Sequence, residues 1–416
     1  MSFLKGLRSV LHVSVIVAAL GYFVDIYDLL LFSIVRVPSL RDIGLSESEI
    51  ATQGLWLLNL QMAGMLIGGI LFGIMGDRKG RLKILFGSIL LYSVANFANA
   101  FVHDVTTYAV LRFIAGIGLA GELGAGITLV SEVLSKELRG YGTMLIASVG
   151  VSGAVLAYYV AEHFDWRTAY VVGGVLGFLL LLLRIHVHES GMFKALEAQE
   201  QRASVGISRG NFFALFTDKS RFQRLTFCTL IGLPVWYVVG ILITLSPEMA
   251  RALGVQGTVS AGKAVLLCYT GLIFGDFCSG TLSQILQTRK RVISIFVGLT
   301  AAAVASYFLL PWRSLKIEVF YGVCFALGFS IGFWAVFVTV AAEHFGTNLR
   351  ATVATSVPNF ARGLLVPMSA IFSLIKSSTD ILTAGWMLGL IVIPITFTAI
   401  YFLEETYGKD LNFVEK

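Results

Sequence analysis

The sequence predicts an all-α integral membrane protein with twelve transmembrane helices in two pseudo-symmetric six-helix bundles and both termini cytoplasmic. Three observations predict it. The 416 residues are 56% hydrophobic and only 13% charged, with a mean hydropathy of +0.82; a soluble domain carries about a quarter charged residues. The charges fall in short clusters between apolar runs of about 20 residues, the length that crosses a bilayer as helix. Two stretches about 210 residues apart are also nearly the same: Glu132, with Arg139 and Gly140 seven and eight residues on, and Glu343, with Arg350 and Ala351.

In chain order the apolar runs are 10–35, 53–75, 82–101, 107–134, 141–163, 168–187, 222–245, 263–286, 291–311, 318–341, 351–376 and 380–403. The first follows Lys5 and Arg8, as a signal peptide would, but it continues through Asp25 and Asp28 without a small-residue cleavage site. It reads as a membrane helix. The third and fourth, separated by HDVTT, read as a hairpin. The 43 glycines suit close helix packing in lipid. Domain boundaries follow: an N-terminal bundle at 1–187, a cytoplasmic linker at 188–221, a C-terminal bundle at 222–403 and a tail at 404–416.

Basic residues orient the chain. With both termini inside, about 21 Lys and Arg fall on the cytoplasmic side and about eight outside. The linker, with Lys194, Arg202, Arg209 and Lys219, carries much of the excess. A basic, membrane-facing surface accounts for the pI near 9.1 without a nucleic-acid partner. Cys228, Cys268, Cys278 and Cys324 lack CxxC spacing, and the six histidines form no metal-ligand pattern. No metal, cofactor or ATP is expected, because no phosphate-binding loop or nucleophile elbow is present. The proton gradient is the expected energy source.

An upstream element repeats at a similar offset. Gly73 and Asp77 of GIMGDRKGR correspond to Gly280 and Gln284 of GTLSQILQTRKR. Gly73 lets a neighbouring helix approach and Gly80 permits a tight turn. Asp77 suits the positive end of a helix in the opposite half, while Arg78 and Arg81 suit Glu132. A hydrophobic chain of two similar halves suits rocking around a central site, as secondary transporters do. The gating set is Gly73, Asp77, Arg78, Gly80, Arg81, Glu132, Arg139, Asp276, Glu343 and Arg350.

Gly73 to Arg81 matches the G-x3-D-[RK]-x-G-[RK] signature between helices 2 and 3 of the major facilitator superfamily, and the whole chain resembles that family. Arg112-Phe-Ile-Ala-Gly116-Ile-Gly118 is similar to its R-F-x2-G-x-G element. Gly121-Glu122-Leu-Gly124-Ala-Gly126 resembles the metabolite:proton symporter branch. Gly21 to Asp28 is similar to the G-F-F-x-D-x-Y-D pattern of phosphate and organic-acid porters, and Arg350, Ala361-Arg362-Gly363 and Pro367 resemble organic anion and cation transporters. Helix 4 lacks the phosphate porters' aspartate-tyrosine pair. The resemblance implies the twelve-helix fold and transport without enzymatic chemistry.

Asp25, Asp28, Glu122, Asp276 and Arg362 lie within apolar runs. Unpaired in lipid the five would cost about 15 kcal/mol, so they face water or one another. Asp25 and Asp28, at i, i+3, share a helix face with Tyr22. Two such carboxylates resist ionising together. With Glu122 they are the candidate proton carriers, against a structural hydrogen-bonded pair. Arg112 is read as a partner for these acids. Arg362 keeps its charge and offers a fork for a carboxylate, against an internal salt bridge; Asn359 shares its face. Tyr27, Trp236, Tyr237 and Trp334, together with Tyr158 and Tyr159, are candidate cavity residues. Asp276 matches Gly69 in the repeat, where a hydrogen bond between halves competes with substrate contact. Pro234 and Pro358 are candidate bending points.

The function expected is proton-coupled symport of a small organic anion, a carboxylate, by a monomer in a bacterial inner membrane. Partners are the small-molecule substrate, protons and the lipid bilayer. A neutral or zwitterionic solute, proton-coupled export, and a non-transporting sensor are the alternatives.

Overall fold

The computed structural model describes residues 13–79, 81–134, 138–183, 211–409 and 413–415, and the regular structure there is helical. Helices α1 (Val13–Asp42), α2 (Glu47–Lys79), α3 (Arg81–Asn99), α4 (Val105–Leu119), α5 (Glu122–Val133), α6 (Arg139–Val151), α7 (Gly153–His163) and α8 (Trp166–Leu183) come first. After residue 211 follow α9 (Ala214–Thr217), α10 (Lys219–Ile231), α11 (Leu233–Tyr237), α12 (Ser246–Leu253), α13 (Ala261–Leu286), α14 (Lys290–Leu309), α15 (Ile317–Ser330), α16 (Trp334–Glu343), α17 (Arg350–Gly363), α18 (Leu365–Ser378) and α19 (Ile381–Phe402). Helices satisfy their own backbone groups, which lipid demands of a spanning segment.

Eleven spans among the described residues are long and apolar enough to cross a membrane. The run at 82–101 forms α3, a 19-residue helix outside those eleven. Its polar residues Ser88, Ser93, Asn96 and Asn99 are buried.

Short turns are set by D-x-x-T caps. The carboxylates of Asp104, Asp165 and Asp380 each accept from the backbone and the hydroxyl of a threonine three residues on, Thr107, Thr168 and Thr383. These bonds satisfy amides at a helix N-terminus that have no intrahelical acceptor, and they hold the three carboxyls below their usual titration range.

Several apolar runs are broken rather than continuous. The fourth breaks at 120–121, the fifth at Ser152 and the eleventh at Leu364. The seventh breaks at Gly232, just before Pro234, and continues as a π-helical segment, Val238–Ile243. Pro358 does not end α17. The tenth run breaks at 331–333, where Asp276 Oδ1 accepts the Ala335 amide at 3.0 Å and caps α16. Asp276 is thereby tied to its own part of the chain, not to a between-halves hydrogen bond as the repeat suggested. A capped break satisfies the backbone groups that the break frees.

Helices from residues 13–183 and from 211–409 meet most closely at α2 and α17. A Cβ on Gly69 would lie 2.7 Å from Asn359 Cβ, and one on Gly73 would lie 2.9 Å from the Thr352 carbonyl oxygen. Only residues without a side chain permit that approach.

Candidate functional site

Arg362 lies near the C-terminal end of α17 and is 1% exposed. Its Nη1 donates to Asn359 Oδ1 at 2.9 Å. The guanidinium lies 5.5 Å from the Trp334 ring centroid and 5.9 Å from that of Trp236, within cation–π range. These groups, with Tyr22 and Tyr269, line a central cavity of about 20 Å³. That is room for about one water, so the site is shut in this conformation. Tyr22 feels the charges of Arg362, Asp25 and Asp276. Two buried donors at this cavity, Arg362 Nε and the Trp236 indole N–H, have no acceptor, while the Trp334 indole N–H faces the Tyr22 hydroxyl.

Asn359 positions rather than receives. Its oxygen holds Arg362, and its Nδ2 donates to Ala120 O at 2.8 Å and Thr355 O at 2.7 Å, which leaves no donor for a solute. Tyr27 and Tyr237 are not brought to the cavity. Their hydroxyls donate at 2.8 Å to the carbonyls of Ala169 and Gly385, which aims the rings at neighbouring helices. Glu122 opens α5, is 1% exposed, and does not line the cavity. Tyr158 packs on Gly262, and Tyr159 faces outward. Tyr269 lay within a candidate run but carried no charge or motif to mark it.

Asp25 and Asp28 have different surroundings. The Asp28 carboxylate lies against Gly173 of α8 and faces Arg112 and Asn96; Arg112, not Asp25, is the charge acting on it. Arg112 donates to Asn96 and lies 4.9 Å from the Tyr170 ring centroid. Asp28 therefore belongs to a buried polar cluster of α1, α3, α4 and α8. Its neighbour Asp25 acts on Tyr22, beside the cavity.

The two ends of the bundle are bridged. At one, Asp77 Oδ1 accepts the Ala351 amide at 3.1 Å, and Oδ2 accepts the Thr352 amide at 2.7 Å and its hydroxyl at 2.6 Å. Thr339 donates to Thr143 at 3.1 Å nearby. Arg78 is exposed, and Arg350 is buried at the start of α17. Gly80 and the side chains of Arg81, Glu132 and Arg139 lie outside the described residues. The repeat lacks an acid at 284, and here Arg289 Nη2 pairs with Glu343 at 3.2 Å, while Thr406 donates to Glu343 at 2.7 Å. The Glu405 carboxylate caps the start of α14, accepting the Arg289 amide at 2.9 Å. At the opposite end Asn59 donates to Ser369 at 2.9 Å.

The family model described as Major Facilitator Superfamily matches residues 18–370. The niacin transporter NiaP of Acinetobacter baylyi is 24% identical over 429 residues, covering 95% of this chain and 94% of that protein. The 3-(3-hydroxy-phenyl)propionate transporter of Escherichia coli is 27% identical over 309 residues, covering 73% and 72%. The proton:xylose symporter XylE, solved with 6-bromo-6-deoxy-D-glucose, aligns with a TM-score of 0.74 over 97% of this chain and 98% of its own; at 17% identity this is a likeness of fold. The curated relatives are transporters, not enzymes. With this match over most of its length, and with its multi-pass helical architecture, the chain belongs to the Major Facilitator Superfamily as a membrane transporter.

Proposed function

We propose that this protein is a proton-coupled symporter of a small organic anion, a carboxylate on an aromatic ring, and works by alternating access. One observation carries the reading: the buried Arg362 Nε and Trp236 indole N–H have no acceptor, and they face a cavity walled by aromatic rings. A carboxylate supplies the acceptors and matches the guanidinium fork, and a planar ring suits aromatic walls. The relatives named for niacin and 3-(3-hydroxy-phenyl)propionate, both aromatic acids, support the same class.

In this reading α3 is the twelfth crossing. The bundles are 1–187 and 222–403, with the linker 188–221, the tail 404–416 and both termini cytoplasmic in a bacterial inner membrane. The basic bias of the connecting segments supports that orientation. The proton is carried by Asp25, Asp28 or Glu122. Asp28 has the best support, because Arg112 can hold its ionised form and release it on protonation. The Asp77 contacts are the inner gate. The chain works as a monomer without ATP.

The test is uptake of radiolabelled niacin into proteoliposomes under an inward proton gradient. Accumulation that collapses with uncoupler is expected, and uncoupler-insensitive accumulation removes proton coupling. Arg362→Ala is expected to abolish saturable uptake; unchanged apparent affinity in this variant overturns anion recognition at Arg362.

A further inference from the structure

Another buried arginine, Arg36, lies outside the lining of the Arg362 cavity. Arg36 belongs to α1, which runs on to Asp42, beyond the end of the apolar run at residue 35. Its Nη2 pairs with Glu248 Oε1 at 3.0 Å and donates to the Thr244 carbonyl at 3.3 Å. The pair thus joins the first helix to α12. Arg36 is 1% exposed, whereas the Glu248 side chain is 26% exposed. The arginine stem crosses α2 at Gly54, where a Cβ would lie 2.5 Å from Arg36 Cδ. Gly54 and Asp77 are separated by about 35 Å of helix, so this contact closes the end opposite Asp77.

The pair is incompletely satisfied. Arg36 Nε and Nη1 have no acceptor, and Glu248 Oε2 has no donor. Two clefts flank it, and Glu248 lines both. One, of about 340 Å³, also holds Arg41 and Arg251; the other, of about 200 Å³, holds Lys376 and Trp56. Either volume accommodates a small organic acid, and each carries cationic groups that attract one.

We infer that Arg36 and Glu248 latch the end opposite Asp77, and that an incoming carboxylate takes the place of Glu248 on Arg36 as that end opens. The physical reason is the burial of Arg36. A buried guanidinium left without a counter-charge is strongly unfavourable, so Glu248 leaves readily only when another anion replaces it. Nη2 belongs to both two-pronged edges of the guanidinium and is the nitrogen Glu248 holds, so an anion gains a bidentate seat on Arg36 only as Glu248 gives up Nη2. Opening at this end is thereby tied to the arrival of an anion. The exchange step rests on the anion reading proposed above; the latch does not.

The test uses the full chain in nanodiscs, with Cys278, the exposed cysteine, replaced by serine and spin labels at Thr52→Cys and Ile381→Cys, on opposite sides of the smaller cleft. Pulsed electron paramagnetic resonance reads the distance between them. Glu248→Gln without any anion is expected to move the main population to longer distances, and Glu248→Asp to return it towards the wild-type value. A wild-type distance in a monodisperse Glu248→Gln sample overturns the latch. For the exchange, benzoate is expected to widen the label pair in wild type and equally in Arg362→Ala, while the isosteric neutral benzamide does not. Widening that disappears in Arg362→Ala places the effect at the central site and overturns the exchange, as does no response to benzoate in either background. Failure of the central anion reading alone leaves the benzoate response in both.

Discussion

The Asp77 carboxylate caps the first turn of α17 through Thr352, accepting both its amide and its hydroxyl across 275 positions of sequence. A carboxylate at a helix N-terminus gains from charge-assisted bonds and from the helix dipole. Asp77→Asn keeps an acceptor but loses the charge. It is expected to weaken this closure by about 1.5–3 kcal/mol, read as a shift of the spin-label distance across this end to longer values.

Gly73→Leu acts on the same contact by volume. With the Thr352 carbonyl 2.9 Å from a Cβ at that position, α2 and α17 cannot close. Membrane insertion and a monodisperse elution profile are expected to be retained while uptake in proteoliposomes is lost. Wild-type uptake would remove Gly73 from the gate.

Trp236→Phe and Trp334→Phe delete an indole N–H and keep an aromatic wall. The Trp236 N–H has no acceptor in the closed protein, so thermal stability is expected to change little in Trp236→Phe, while Trp334→Phe also gives up the contact with the Tyr22 hydroxyl. Carboxylate affinity is expected to fall by about tenfold for each, the worth of roughly one hydrogen bond. Calorimetric titration with niacin separates the two effects.

Glu343→Ala leaves Arg289 buried without its carboxylate; the two side chains are 8% and 4% exposed. A loss of about 3–5 kcal/mol of stability is expected, measured as a lower unfolding midpoint in detergent. Glu405→Gln is expected to cost less. Burial raises the Glu405 carboxyl, but bonds from the Thr288 hydroxyl and the amides of Arg289, Tyr407 and Lys290 outweigh it and hold the group below its ordinary value.

His344 gives the tail contact a pH dependence. The tail segment 413–415 is docked here: Arg224 donates to the Glu415 carboxylate at 3.1 and 3.2 Å and to the His344 carbonyl at 2.6 Å, and Thr347 donates its amide to Phe413 O at 2.8 Å. Burial pushes the imidazole from 6.5 down to about 4. The unfolded form therefore binds more protons between those values, and stability is lost as pH falls from about 6.5 towards 4. Faster amide exchange at Glu415 at pH 5 than at pH 7.5, corrected for intrinsic rates, is expected. His344→Gln should remove the difference.

Much of the fold was legible in the chain, because lipid leaves so few options for a backbone. The apolar runs located the helices, although α1 runs on far enough to bury Arg36. The GIMGDRKGR motif pointed to Asp77 because a carboxylate at that spacing suits a helix N-terminus. Breaks were harder to read. Pro234 marked one and Pro358 none, but the break before Trp334 depends on Asp276, 58 positions earlier, as its cap. No motif marks the tail, yet Glu405 and Thr406 occupy the end where the repeat lacks an acid.

The sequence by itself determined that this chain lives in a membrane, where its apolar segments lie, which charges fall within them and which family the chain belongs to. Those properties follow from hydropathy and local spacing, and both are local quantities. Only the tertiary structure decided which charges meet. It set Asp28 beside Arg112 and Asp25 beside Tyr22, spent both ends of the Asn359 amide on neighbours, and brought Trp236 and Trp334 around Arg362. An i, i+3 spacing specifies a shared helix face but not the helix that face will meet. That choice depends on the rotation and packing of segments a hundred or more residues apart, where the shape of every intervening side chain contributes.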